Sequence, residues 1–187
     1  MKNSYPTAED WINYYSMNPH PEGGYFKEIY RAETQITSEC LPYIFKKSHS
    51  LATSIYFLLK QGQVSHFHRL KSDELWYFHF GSGLTIHLFT PAEEYQEIKL
   101  GPNLNDSEVF QAILPAETIF GASLGDNNNI DEKLKENNQI RWNYSLVGCM
   151  VSPGIDFEDF EIISRSELLE KYPQNHEVIE KLTFVDN

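Results

Sequence analysis

Apolar and polar residues alternate with a period of two through most of the chain, and helical spacing is confined to its two ends. Near the start, Thr7 and Asp10 form an N-cap pair ahead of Trp11, Ile12, Tyr14 and Tyr15, which predicts one short amphipathic helix. Pro19, Pro21, Gly23 and Gly24 end it in a turn. From Tyr25 to Arg31 the period becomes two, and a polar, proline-containing link runs on through Lys47. Short strand-like runs follow at Thr53–Leu59, Val64–His68, Leu75–Phe80, Leu84–Thr90, Tyr95–Leu100, Val109–Leu114, Ile119–Ala122, Asn143–Val151 and Phe160–Ile163. Gly, Pro, Asn or Asp punctuates most of the gaps, the pattern of a sandwich or barrel. The C-terminus returns to helix. Ser164 and Glu167 have capping-box spacing before Leu168 and Leu169, Pro173 breaks the run, and Val178, Ile179 and Leu182 mark a second short helix. Gly125 to Asn138 holds five asparagines and only Ile130 and Leu134 as apolar residues, and reads as an exposed insertion between two strands. No internal repeat divides the 187 residues, so the expectation is a single all-β domain, 1–187, with short terminal helices.

Composition narrows the partners. Lys and Arg number 15 against 27 Asp and Glu, a formal net charge of −12. An acidic surface repels phosphate backbones and anionic membranes, so neither nucleic acid nor a membrane is an expected partner. Two cysteines, Cys40 and Cys149, make no disulfide framework, and Cys149 sits in the apolar run Leu146–Val151 as a small hydrophobe. Met1 to Asp10 has no apolar signal region, and no apolar stretch reaches the ~20 residues that span a bilayer. The expected location is cytoplasmic.

Chemistry concentrates in Ser65-His66-Phe67-His68-Arg69-Leu70-Lys71-Ser72-Asp73-Glu74-Leu75-Trp76. In a strand, His66 and His68 project to one face. Gly81-Ser82-Gly83 reads as a hairpin loop pairing Phe80 with Leu84 and Phe78 with Ile86. Glu74, Trp76, Phe78, Ile86 and Leu88 then share the apolar interior, and Tyr77, His79 and His87 face outward. An inward Glu74 needs a partner, and a protonated His66 or His68 is the nearest. Gln111 interrupts the apolar run Val109–Leu114 and is a candidate ligand contact, as are His66, Trp76, Phe120 and, through its planar guanidinium, Arg31. No activated nucleophile stands out.

His66-x-His68, Glu74 and Gly81 resemble the first motif of the cupin superfamily. The stretch resembling the second motif, Pro115-Ala116-Glu117-Thr118-Ile119-Phe120, carries Phe120 where the family has a fourth ligand, His. His20-Pro21-Glu22-Gly23-Gly24-Tyr25-Phe26, Tyr30-Arg31, Ser54 to Leu59, Asp73 to Trp76 and Val151 to Phe160 resemble one uncharacterised branch, related in fold to nucleotide-sugar epimerases. The resemblance implies a double-stranded β-helix (a jelly-roll barrel) around a small-molecule pocket, and homodimers. Two functions are expected. One is an isomerase- or epimerase-like enzyme on a sugar-like molecule, with His68 as general base, Glu74 orienting it and Tyr56 as proton donor. The other is a non-catalytic binding module. No cofactor is favoured. The alternative is a divalent metal on His66, His68 and Glu74, completed by water, but Phe120 places an apolar ring at that site.

Overall fold

The computed structural model describes residues 5–125 and 142–185. Most of the asparagine-rich insertion expected at Gly125 to Asn138 therefore lies outside the described residues. Thirteen strands are present among the described residues: β1 (Asn18–Pro19), β2 (Tyr25–Arg31), β3 (Gln35–Ile36), β4 (His49–Ser50), β5 (Thr53–Lys60), β6 (Val64–Leu70), β7 (Asp73–Gly81), β8 (Leu84–Phe89), β9 (Tyr95–Leu100), β10 (Gln111–Leu114), β11 (Ile119–Leu124), β12 (Tyr144–Ser152) and β13 (Phe160–Ile162). Three α-helices accompany them among the described residues: α1 (Ala8–Tyr15), α2 (Arg165–Lys171) and α3 (His176–Leu182). None is long and apolar enough to cross a membrane.

The strands form a jelly roll. One sheet has the order β1-β2-β5-β12-β7-β10 and the other β13-β6-β11-β8-β9, with antiparallel pairing throughout both. Their inner faces meet in a core that includes Phe57, Trp76, Ile86, Leu88, Phe120 and Val147. The inward set Glu74, Trp76, Ile86 and Leu88 is buried as its alternation predicts. The expected hairpin is not formed: β7 pairs with β12 and β10, and β8 pairs with β11 and β9. Gly81 at φ +99° turns the chain from one sheet to the other instead, where a Cβ would stand 2.3 Å from the Tyr144 carbonyl oxygen. A period-two pattern fixes which face is buried but not which strand lies alongside, so the faces were legible and the pairing was not.

The helices cover the outer faces. Thr7 caps α1, accepting from the Asp10 N–H while the Asp10 carboxylate accepts from the Thr7 N–H, a reciprocal box. The α1 segment lies on Leu58, Tyr144 and Leu146, and the Trp11 indole N–H donates to Tyr144 Oη at 3.0 Å. Ser164 Oγ accepts from the Glu167 N–H at the start of α2, which packs with α3 over Phe67, Phe89 and Ile119. Pro173 opens a 3-10 turn between the two helices.

Candidate functional site

The open end of the barrel leads into a cavity of about 390 Å³. Its apolar wall carries Phe26, Phe57, Trp76 and Phe160, and its polar groups include His20, Glu22, His68 and Glu74. Two local features place these groups.

The first is a bulge in β6. Phe120 pairs with His68 and Ala122 with Ser65, so His66 and Phe67 together stand opposite the single Gly121. A bulge inserts one residue and resets the alternation. Ser65 and His68 therefore point inward although they are three apart. His66 does not line the cavity: its Nδ1–H donates to the Glu22 carbonyl oxygen at 2.6 Å and its ring stacks on Phe184, with centroids 3.6 Å apart.

The second is the turn from Pro21 to Gly24, pressed flat against β6. Gly23 has φ +111°, and a Cβ there would meet the Val64 carbonyl oxygen at 2.2 Å. The backbone N–H of His66 also donates to the Glu22 carbonyl. So close an approach carries the Glu22 side chain into the barrel, where it is buried.

Inside, Glu22 gathers the donors. Ser65 Oγ–H donates to Glu22 Oε1 at 2.7 Å, and His68 Nε2 stands 3.2 Å from Glu22 Oε2. His68 Nδ1 lies 2.7 Å from the His66 carbonyl oxygen. A carbonyl only accepts, so Nδ1 carries hydrogen and the neutral ring keeps its lone pair on Nε2. The Nε2 lone pair and the Glu22 carboxyl group therefore face each other at 3.2 Å, a separation that a proton on either atom would bridge. Burial lowers the His68 pKa to about 4 and raises that of Glu22. His20 completes the group with Nδ1 3.4 Å from Glu22 Oε2, and that nitrogen accepts from the Glu22 N–H. Burial also lowers its pKa, against the pull of Glu22.

Glu74 resolves its burial differently from the expected ion pair. Its Oε2 has no hydrogen-bond partner and neither His66 nor His68 pairs with it. Desolvation, reinforced by Glu22, pushes its pKa up to about 8, while Trp76 and Cys149 offset part of this. A carboxyl that cannot be paired is kept neutral by its proton at neutral pH.

The structure does not bring together every residue singled out in the sequence. Trp76 lines the cavity, and so does Arg31, whose Nε and Nη2 are held by Glu28 at 3.1 and 2.7 Å and whose Nη1 donates to the Ile155 carbonyl. Phe120 is buried behind the cavity with its ring 4.2 Å from that of His68. Tyr56 is on the outer face of its sheet against Tyr15 and His79, because alternation along β5 turns Ile55 and Phe57 inward instead. Gln111 is exposed opposite Tyr77, with Ala112 and Leu114 taking the inward positions of β10. The metal set His66, His68 and Glu74 is not assembled, since the bulge turns His66 away. Among the described residues no three of His, Cys, Asp and Glu converge as metal ligands. The residues present do not fit the metal centre that the superfamily motif implies.

Glu22, His20 and Ser65 were missed by the sequence reading. Glu22 enters the sequence analysis only as part of the family resemblance, yet two adjacent glycines beside a His-x-Glu signal a backbone pressed against a neighbour.

The chain matches the family described as Cupin superfamily (DUF985) over residues 9–163. A protein from Shewanella oneidensis is 41% identical with a TM-score of 0.80, covering 97% of this chain and 100% of that one. A hypothetical protein from Leishmania major is 34% identical with a TM-score of 0.81, covering 96% of this chain and 100% of its own. A variant of oxalate decarboxylase from B. subtilis shares the fold at 14% identity and a TM-score of 0.50, over 91% of this chain and 38% of the enzyme. No protein curated for function matches the sequence.

Proposed function

The chain belongs to the cupin superfamily (DUF985), and from that premise we propose a small-molecule cupin of isomerase or epimerase type that moves a proton on a sugar-like molecule held in the barrel. One observation carries this reading. His68 holds its Nδ1 hydrogen on the His66 carbonyl and turns Nε2 to within 3.2 Å of Glu22 Oε2 inside a cavity large enough for a ligand. A neutral imidazole beside a carboxyl group can accept a proton from a bound molecule. Glu74, protonated at neutral pH, can return one. Abstraction by the His68–Glu22 pair and donation by Glu74 shift a hydrogen within the substrate with no net gain or loss. Burial among aromatic side chains strengthens each interaction by keeping water out.

Proton exchange with solvent is the test. Candidate ligands found by thermal shift are incubated with the protein in D2O and followed by NMR. The expected result is deuterium at a carbon next to a carbonyl, slowed at least about a hundredfold in Glu22→Gln and His68→Asn. The second reading, a binding module without chemistry, is favoured by the internal satisfaction of the pair: Ser65 holds Glu22 and the His66 carbonyl holds His68. Ligands that bind and return without deuterium would establish that reading instead.

A further inference from the structure

We infer that this cavity takes an uncharged, hydroxyl- or carbonyl-bearing molecule of monosaccharide size and rejects its phosphorylated and nucleotide-linked forms. The inference rests on the cavity being the ligand site and adds the chemical class that it selects.

The charges lining the cavity lead to this conclusion. Glu22 and His68 stand 3.2 Å apart, and burial disfavours the charged form of each. Glu74 keeps its proton at neutral pH. Burial disfavours the charged form of His20. Glu28 and Arg31 cancel, and all three donating nitrogens of the guanidinium are engaged, two on the Glu28 carboxylate and one on the Ile155 carbonyl. Asp156, exposed at the same mouth, remains as a net negative charge. Among the described residues none that lines the cavity offers a free cation.

A phosphate bound here would have to take Arg31 from Glu28 while facing Asp156. Cations in the neighbouring cleft are also occupied: Lys71 pairs with Asp159, Lys47 with Glu158, and Lys46 donates to the Tyr43 carbonyl. Recognition of phosphate or pyrophosphate relies on arginine forks, lysines or backbone N–H groups at a helix N-terminus. None of the three helices supplies a cavity residue.

The rest of the lining suits an uncharged ring. Phe26, Phe57, Trp76 and Phe160 offer apolar faces, and Thr53 and Ser54 add hydroxyls to the lining. A volume of about 390 Å³ lies at the small end of the roughly 300–1,000 Å³ typical of ligand pockets. That suits one sugar ring or lactone better than a nucleotide conjugate.

Matched titration calorimetry tests the inference. Common aldoses and aldonolactones are each compared with their phosphates, and glucose with UDP-glucose, on the wild type and on Glu28→Gln. At least one uncharged compound is expected to bind, with its phosphorylated counterpart at least about tenfold weaker, or 1.4 kcal/mol. Glu28→Gln frees the Arg31 fork and should narrow that gap. The pair is about half exposed, so its loss leaves the fold intact. Asp156→Asn should narrow the gap in the same direction without touching the pair. Equal or tighter binding of the phosphorylated series to the wild type overturns the inference, as does a failure of every uncharged compound to bind. An uncharged ligand that binds without deuterium exchange would sink the catalytic reading and leave this one standing. A phosphorylated ligand that exchanges would do the reverse.

Discussion

Glu74→Gln should change the pH dependence of stability in a way that only a buried, neutral carboxyl predicts. Glu74 has its pKa raised from 4.5 to about 8 in the folded protein, first by desolvation and then by Glu22. A group whose pKa is raised on folding stabilises the fold fully below its unfolded value, and the contribution is lost as pH rises through the folded one. At about 1.4 kcal/mol per pH unit, the interval from 4.5 to 8 amounts to at most about 5 kcal/mol. His68 acts in the opposite sense. Its pKa falls from 6.5 to about 4, so its burial costs stability below pH 6.5, by up to about 3 kcal/mol at pH 4. The two slopes cancel between pH 4.5 and 6.5. These two groups together leave wild type level there and cost it about 2 kcal/mol from pH 6.5 to 8. Without Glu74 the His68 contribution alone gains about 2 kcal/mol from pH 5 to 6.5 and then stays level, so the quantity to compare is the difference between the two curves. Burying an amide adds a constant offset of about 1–3 kcal/mol, which drops out when two pH values are compared. The raised pKa of Glu22 acts on both proteins alike. Urea unfolding at half-unit steps from pH 5 to 8 measures the divergence, expected to reach about 4 kcal/mol. Parallel curves over that range would refute the argument, because they would mean that Glu74 titrates normally in the folded state.

Three further outcomes are expected. Asp159 binds Lys71 at 2.7 Å and the nearly buried His49, whose other nitrogen donates to the Lys47 carbonyl, so Asp159→Asn should cost about 3 kcal/mol in urea unfolding; a cost below about 1 kcal/mol would reduce the cluster to an ordinary surface pair. Gly23→Ala meets both a positive φ and the Val64 carbonyl, and should destabilise by at least about 2 kcal/mol while abolishing ligand-induced thermal shift; unchanged melting would show that the turn is not held against β6. Strand β10 is the free edge of its sheet and leaves Phe110 and Ile113 each 60% exposed, so a homodimer is expected; light scattering should give a dimeric mass at micromolar concentration that Ile113→Lys lowers, and a monomeric wild type would contradict it.

What could be read from the sequence was the face of each strand. Alternation placed Trp76, Ile86 and Leu88 inside and His79 outside, because a residue's side follows from its own strand. The errors arose where two strands, or a strand and a turn, decide the outcome together. His66 was assigned by counting along β6, but its direction depends on Gly121 in β11, opposite which two residues crowd into the space of one. Gln111 looked buried because its neighbours are apolar, yet β10 is short and on an edge, where Phe110 and Ile113 are also exposed. Glu22 lies outside the barrel's regular strands, and its burial follows from the contact of Gly23 with Val64, which no local pattern encodes.

The same few residues account for the change in the site's chemistry. In the superfamily motif, His66, His68, Glu74 and a His at position 120 would share one ion. Here the bulge removes His66, and Phe120 sets an apolar ring 4.2 Å from His68. Glu74 has no cation to meet and keeps its proton. His68 alone stays at the old centre. An isolated buried imidazole needs partners for both nitrogens. The His66 carbonyl serves Nδ1 and Glu22, arriving from the turn before β2, serves Nε2. Replacing ligand donors with a carbonyl, a carboxyl and an aromatic ring turns a place that would hold a cation into one that holds a proton. Restoring His at position 120 alone should therefore not recreate a metal centre, since His66 is still turned away and Glu22 still occupies Nε2. Phe120→His dialysed against zinc or manganese is expected to retain no more metal than wild type by elemental analysis. Stoichiometric uptake by that single variant would show that the His68–Glu22 contact yields to a cation, and that the proton pair does not define the site.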